Sequence, residues 1–124
     1  MQDTKKCILA IDDTPMQLHA LIKILQPTYT VRVAKDGESG LDFVKKYDID
    51  LILLDMIMPG ISGLEVLYKL KESDETKNIP VILATGNTAE EDRQEGLRLG
   101  AADYIYKPFD EAILLSSVTA ALNN

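Results

Sequence analysis

Cysteine and histidine each occur once in the 124 residues, so chemistry that needs paired thiols or imidazole clusters is excluded at the outset. Cys7 lies inside the first apolar run and reads as a small buried hydrophobe in a reducing compartment; His19 falls on an expected helix, in a structural or surface role. Positive charge is also short. Thirteen Lys and Arg against twenty Asp and Glu leave a net charge of −7, which repels phosphate backbones and anionic lipid and argues against direct nucleic-acid binding. No apolar stretch approaches the roughly 18 residues of a membrane helix, so membrane insertion is not expected. Nor does the polar start Met1-Gln2-Asp3-Thr4-Lys5-Lys6, followed by only a short apolar run, read as a secretory signal. A cytoplasmic location is the expectation. Linkers, repeats and low-complexity segments are missing too, which makes residues 1–124 one expected domain with one core, whether whole or cut from a longer protein.

What is present is an alternation of apolar β-rich runs with helical segments, the pattern of a βα repeat whose parallel sheet is covered on both faces. The expected strands run from Lys6 to Ile11, Thr30 to Ala34, Asp50 to Leu54, Pro80 to Ala84 and Asp103 to Tyr106. The second is the weakest because Arg32 interrupts it. Helix one opens with Thr14 as N-cap and Pro15 at its first position, carries Leu18, Leu21, Ile22 and Leu25 on one face, and is stopped by Pro27. Helix two covers about Gly37 to Tyr47 with Leu41 and Val44 inward, and helix three about Ser62 to Glu72. Helix four, about Ala89 to Leu99, has three acids in its first turn and Gly100 as its stop. Helix five follows the N-cap Asp110 and carries Ile113, Leu114, Val118 and Leu122.

Five polar residues fall at the carboxyl ends of these strands, where ligands of parallel α/β sheets collect. Asp12 and Asp13 close strand one, Asp55 closes strand three, Thr85 follows strand four, and Lys107 follows strand five. Singly, each has a plain reading as a cap, a turn residue or a solvated charge. Together on one rim they suit phosphoryl transfer. A carboxylate such as Asp55 can attack phosphorus to form an acyl phosphate, with oxygen ligands from Asp12, Asp13 and Asp55 holding Mg²⁺. Lys107 supplies a point positive charge and the Thr85 hydroxyl one hydrogen bond.

The runs Ile8-Leu9-Ala10-Ile11-Asp12-Asp13, Leu53-Leu54-Asp55-Met56-Ile57-Met58-Pro59-Gly60-Ile61-Ser62-Gly63, Ala84-Thr85 and Gly100-Ala101-Ala102-Asp103-Tyr104-Ile105-Tyr106-Lys107-Pro108-Phe109 resemble, over the whole chain, a receiver domain of two-component response regulators of the single-domain chemotaxis type. The resemblance implies a doubly wound, flavodoxin-like (βα)5 fold with strand order 2-1-3-4-5. It implies that Asp55 accepts a phosphoryl group from a phosphohistidine on a sensor histidine kinase or histidine phosphotransfer protein, catalysis being confined to the chain's own phosphorylation and dephosphorylation. Asp12, Asp13, Asp55 and the backbone carbonyl of Ile57 would hold Mg²⁺. Thr85 and Tyr104 match the family's switch pair, Lys107 its phosphate-contacting lysine, and the Lys107-Pro108 bond would be cis. On this reading, a dianion at Asp55 draws the Thr85 hydroxyl inward and vacates space for the Tyr104 ring. The face formed by helix four, strand five and helix five, open to downstream partners and to weak homodimerisation, changes in response.

Two departures from the family pattern are visible. Thr14 replaces a common acid, and Gly40 stands where alanine is common, at a helix-propensity cost of up to ~1 kcal/mol. Ile57 and Asn87 flank the implied route of hydrolytic water, and an apolar Ile57 cannot orient water, so a long-lived acyl phosphate is expected. Competing readings are weaker. A haloacid-dehalogenase-type phosphatase wants its two aspartates separated by one residue, a P-loop nucleotidase wants a glycine-rich loop ending in Gly-Lys-Ser or Gly-Lys-Thr, and a flavin site wants hydroxyls rather than acids in the first loop. The serious alternative is a phosphorylation-independent interaction module on the same fold.

Overall fold

In the computed structural model, residues 5–86 and 90–123 are described. They form β1 (Cys7–Ile11), α1 (Pro15–Leu25), β2 (Thr30–Ala34), α2 (Gly37–Lys46), β3 (Leu51–Asp55), α3 (Gly63–Glu72), β4 (Val81–Thr85), α4 (Glu90–Arg98), β5 (Asp103–Tyr106) and α5 (Glu111–Leu122). The strands make one parallel sheet in the order β2-β1-β3-β4-β5, the expected doubly wound arrangement. None of the described helices is long and apolar enough to cross a membrane.

Alternation along the strands divides the core in two. Leu9, Ile11, Ile52, Leu54, Val81 and Leu83 face α2 and α3, meeting Val66, Leu67 and Leu70. Their neighbours Ile8, Ala10, Leu51, Leu53, Ile82 and Ala84 face the other way, against Leu18, Leu21 and Leu25 of α1 and Leu114, Val118 and Ala121 of α5. Because both faces are covered, the central strands are apolar without a break. Each fully buried Leu or Ile contributes ~1.5–3 kcal/mol of transfer free energy. Of the apolar residues on α5, Ile113 projects outward and is 59% exposed, while Leu114 beside it takes the inward direction. Cys7 is half-buried rather than enclosed, and burial raises its thiol pKa while the nearby Arg32 works against that rise.

Helix starts follow the capping pattern at three sites: Asp36 accepts from the Ser39 N–H, Ser62 from Glu65 and Asp110 from Ile113. Thr14 occupies the corresponding place before α1, but its side chain caps nothing. Its own N–H donates to Asp12 Oδ1 at 2.9 Å, so the residue serves the acidic loop rather than the helix.

Helix propensity does not explain Gly40. A Cβ there would collide with Ile11, whose side chain is 1% exposed and locked in the core between α2 and β1. Gly40→Ala is therefore expected to destabilise the fold by about 1–2 kcal/mol, because overpacking outweighs the propensity gain. Urea unfolding midpoints measure the sign, and a variant more stable than wild type would show that Ile11 yields freely.

Candidate functional site

Three strands end on the same rim with their polar residues in register. Asp55 is the last residue of β3 and pairs with Ala84; Thr85 is the last of β4 and pairs with Tyr106, directly before Lys107. The Lys107 N–H donates to the Thr85 carbonyl at 2.8 Å, carrying the ladder one step past β5 and aiming the lysine stem over the sheet edge. The Lys107-Pro108 peptide is cis, as the resemblance implied. On the other side, the Asp12 N–H donates to the Ala34 carbonyl at 3.0 Å, fixing the turn that leaves β1.

Side chains then converge. The Lys107 ammonium bridges two carboxylates, 2.8 Å from Asp12 Oδ2 and 3.2 Å from Asp55 Oδ1. Asp12 is 2% exposed and Asp55 6%, whereas Asp13 faces solvent at the mouth. The three acids each offer an oxygen within 4.8 Å of the others. One ammonium does not balance them: burial pushes the Asp55 carboxyl up from its ordinary pKa, repulsion from Asp12 adds to the rise, and Lys107 and the Ile57 N–H only oppose it. A cluster of hard oxygens with surplus negative charge and an open mouth suits a small divalent cation such as Mg²⁺.

Both contacts made by Asp55 among the described residues fall on Oδ1, from Lys107 and, at 3.4 Å, from the Ile57 N–H. Oδ2 makes no hydrogen bond or ion pair among the described residues. Ile57 itself turns outward and is 67% exposed at the pocket rim, while its expected companion Asn87 lies outside the described residues, as does the expected first residue of helix four, Ala89.

A hydrogen bond joins the side chains of Thr85 and Tyr104, and Tyr104 also meets Tyr106 edge-to-face with ring centroids 5.5 Å apart. The sequence reading had the Tyr104 ring entering vacated space. The ring is 7% exposed and belongs to the core on the α2–α3 face of the sheet, and burial raises its hydroxyl pKa.

Gly63 carries no polar group, yet it governs the site, and the sequence reading passed over it. A Cβ there would run into the Asp55 carbonyl oxygen and lie 2.8 Å from Met56 Cα, and its N–H donates to the Met56 carbonyl at 2.9 Å. The segment bearing Asp55 and Ile57 is thus pressed directly against the start of α3. A glycine immediately after the helix-capping Ser62 was the available signal.

Comparison with known proteins agrees with this geometry. The response regulator receiver domain family matches residues 8–119. A probable cyclic di-GMP phosphodiesterase of Vibrio cholerae is 40% identical across 100% of this chain, which spans only 28% of that longer protein. Protein PilH of Pseudomonas aeruginosa is 36% identical, with 93% of this chain and 96% of that protein covered. Among solved structures, the chemotaxis protein CheY4 of Vibrio cholerae superposes with a TM-score of 0.90 at 30% identity, covering 96% of this chain and all of the other. With sheet order, acidic pocket and sequence all in agreement, the chain belongs to the response regulator receiver domain family.

Proposed function

We propose that the chain is a phosphoacceptor of a two-component system or phosphorelay, taking a phosphoryl group onto Asp55. The observation that carries this reading is the placement of Asp55 Oδ2, free of hydrogen bonds among the described residues, beside a buried acid pair and a bridging ammonium. Asp55 Oδ2 attacks phosphorus in line with the leaving imidazole nitrogen of a phosphohistidine; the O–P bond forms, the P–N bond breaks, and the imidazole leaves with its electron pair. Lys107 Nζ already sits between Asp12 and Asp55 and follows the negative charge onto the phosphoryl oxygens. Asp12, Asp13, Asp55 and the Ile57 carbonyl are the groups that would hold Mg²⁺, which when bound screens the acids from the incoming phosphoryl group.

Relay begins at Thr85. Its hydroxyl is shared between Tyr104 and any phosphoryl group on Asp55, so phosphorylation redirects that hydrogen bond and changes how the buried ring is held. Next to this ring lies α4, whose only buried residue is Gly96; a helix held so thinly is the element that moves most readily. The face of α4, β5 and α5 is the proposed output surface for a downstream partner, with a sensor histidine kinase or histidine phosphotransfer protein as donor.

The reading is tested by incubating the chain with acetyl phosphate and Mg²⁺ and weighing it intact. One phosphoryl adduct is expected, absent without the divalent ion and absent from Asp55→Asn. An unmodified wild-type chain would favour the phosphorylation-independent interaction module.

Ile57 sets the lifetime of the adduct. Its exposed aliphatic side chain at the rim supplies no hydrogen bond to an attacking water, so Ile57→Asn is expected to speed loss of the phosphoryl group by about tenfold, the upper range for positioning one polar group being larger still. Decay of the adduct after removal of acetyl phosphate measures this, and equal half-lives would remove Ile57 from the account.

A further inference from the structure

Between α2 and α3, on the sheet face away from α1 and α5, two clefts of about 360 and 600 Å³ run into one another. Leu41, Lys45 and Lys69 line both. The floor is apolar: Leu41, Val44 and Ile61 are only half-buried there, with Leu70 beneath. Charge is distributed unevenly along the rim. Glu38, Asp42 and Glu65 stand at the end nearest the acidic pocket, Lys45 and Lys69 at the middle, and Glu72 and Glu75 at the far end.

These charges could pair among themselves and do not. Asp42 and Lys45 stand at i,i+3, and Lys69 stands at i,i+4 from Glu65 and i,i+3 before Glu72, the spacings that favour ion pairs on a helix. The ion pairs among the described residues lie elsewhere, on the α3–β4 turn, on α4 and at the acidic site. Glu72 accepts a hydrogen bond from the Tyr68 hydroxyl, and the other six charges are left to solvent over an apolar floor, a surface suited to external complementation.

We propose that the α2–α3 trough docks an amphipathic helix of a partner protein, with basic residues toward both ends, a neutral or acidic centre, and an apolar ridge that fills the floor. A partner helix of about ten to twelve residues matches the length of α2 and α3 at 1.5 Å per residue. Nucleic acid is excluded by the acids at both ends. A second copy is excluded as well, because none of the five helices carries basic residues at both of its ends. The trough lies apart from the face of α4, β5 and α5, so docking does not depend on phosphorylation.

The test is titration of the isotope-labelled chain with two synthetic helical peptides, followed by amide NMR. Both carry leucines at i, i+3, i+4 and i+7; one has lysines at its ends and glutamate at its centre, and the other has these charges inverted. Amide shifts are expected across residues 38–45 and 61–76 with the first peptide, and about tenfold weaker binding of the second. The exposed double charge reversal Glu65→Lys with Glu75→Lys is expected to weaken the first peptide by about tenfold and to strengthen the inverted one. Asp55→Asn should leave both affinities within about twofold, which keeps this result separate from that of the phosphorylation assay. Equal affinity for the two peptides, shifts centred on α4 or on the β5–α5 groove, or no shifts at all would overturn the proposal.

Discussion

Asp55→Asn is expected to abolish phosphoryl uptake and, in the presence of EDTA at neutral pH, to melt above the wild type by a few degrees, about 1 kcal/mol of added stability. The first effect follows because the amide oxygen of asparagine keeps the shape of the carboxylate and lacks its nucleophilicity. The second follows from the surplus of negative charge. Asp55 is buried, faces Asp12, and shares with it the single ammonium of Lys107, so its folded-state pKa stands above its unfolded value. A group of that kind contributes stability fully below the unfolded pKa and loses it as pH rises through the folded pKa. The wild type gives up that stability as Asp55 ionises and the variant does not, while Lys107 retains Asp12 as its partner. The advantage should therefore vanish on acidification below the ordinary carboxylate range. Adding Mg²⁺ should close the gap from the other side, because an ion held by the acids stabilises the wild type more. Thermal melts followed by circular dichroism at several pH values decide it. A variant that melts lower at neutral pH in EDTA would mean that the Asp55–Lys107 pair outweighs the repulsion.

The sequence made the sheet legible because a strand covered on both faces must be apolar throughout, and Leu51-Ile52-Leu53-Leu54 and Val81-Ile82-Leu83-Ala84 satisfy that with no turn residue inside them. The ends moved by one residue for a single reason. Apolar patterning stops at the last buried hydrocarbon, whereas the hydrogen-bonded ladder runs on through Asp55 and Thr85, whose backbones pair whatever their side chains are. That difference matters, since it places both candidate site residues on strand ends rather than in loops.

The acids and the lysine were legible from their positions after apolar runs. Contacts set by distance in space were not. Thr14 looked like a cap because its residue type favours caps, and nothing local shows that Asp12 accepts its N–H instead. Tyr104 carries no sign in its own segment of the bond to Thr85 or of its buried ring. The α2–α3 trough joins charges from two helices, and helical periodicity places residues on each helix without saying which opposing charges will pair. Glycines were the least legible of all. Gly40, Gly63 and Gly96 each admit a neighbour where a Cβ would stand, at Ile11, the Asp55 backbone and Leu83 in turn, and no periodicity reports such an approach.

Among these, Gly63→Ala should be the most damaging substitution outside the acids and Lys107. The obstructing groups are backbone, the Asp55 carbonyl and Met56 Cα, so no rotamer change relieves the overlap, and β3 cannot withdraw because Ile52, Leu53 and Leu54 are fully enclosed on both sides. The start of α3 must move instead, giving up the Gly63 N–H bond to the Met56 carbonyl and disturbing the Val66 and Leu67 packing that follows. A loss of about 3 kcal/mol is expected, lowering the melting temperature by roughly 10 °C for a domain of this size. Gly60→Ala is the contrasting control. That residue has φ +81° but open space around it, so the cost is confined to the left-handed conformation, about 1–2 kcal/mol, and the adduct on Asp55 should still form. Function separates the two further: displacing the residues after Asp55 shifts the Ile57 carbonyl and N–H, so Gly63→Ala that remains folded at low temperature should take up phosphate from acetyl phosphate at least about tenfold more slowly than Gly60→Ala. Equal melting temperatures and equal uptake rates for the two variants would mean that β3 and α3 accommodate a methyl group between them, and that the close approach at Gly63 does not hold the acidic pocket in place.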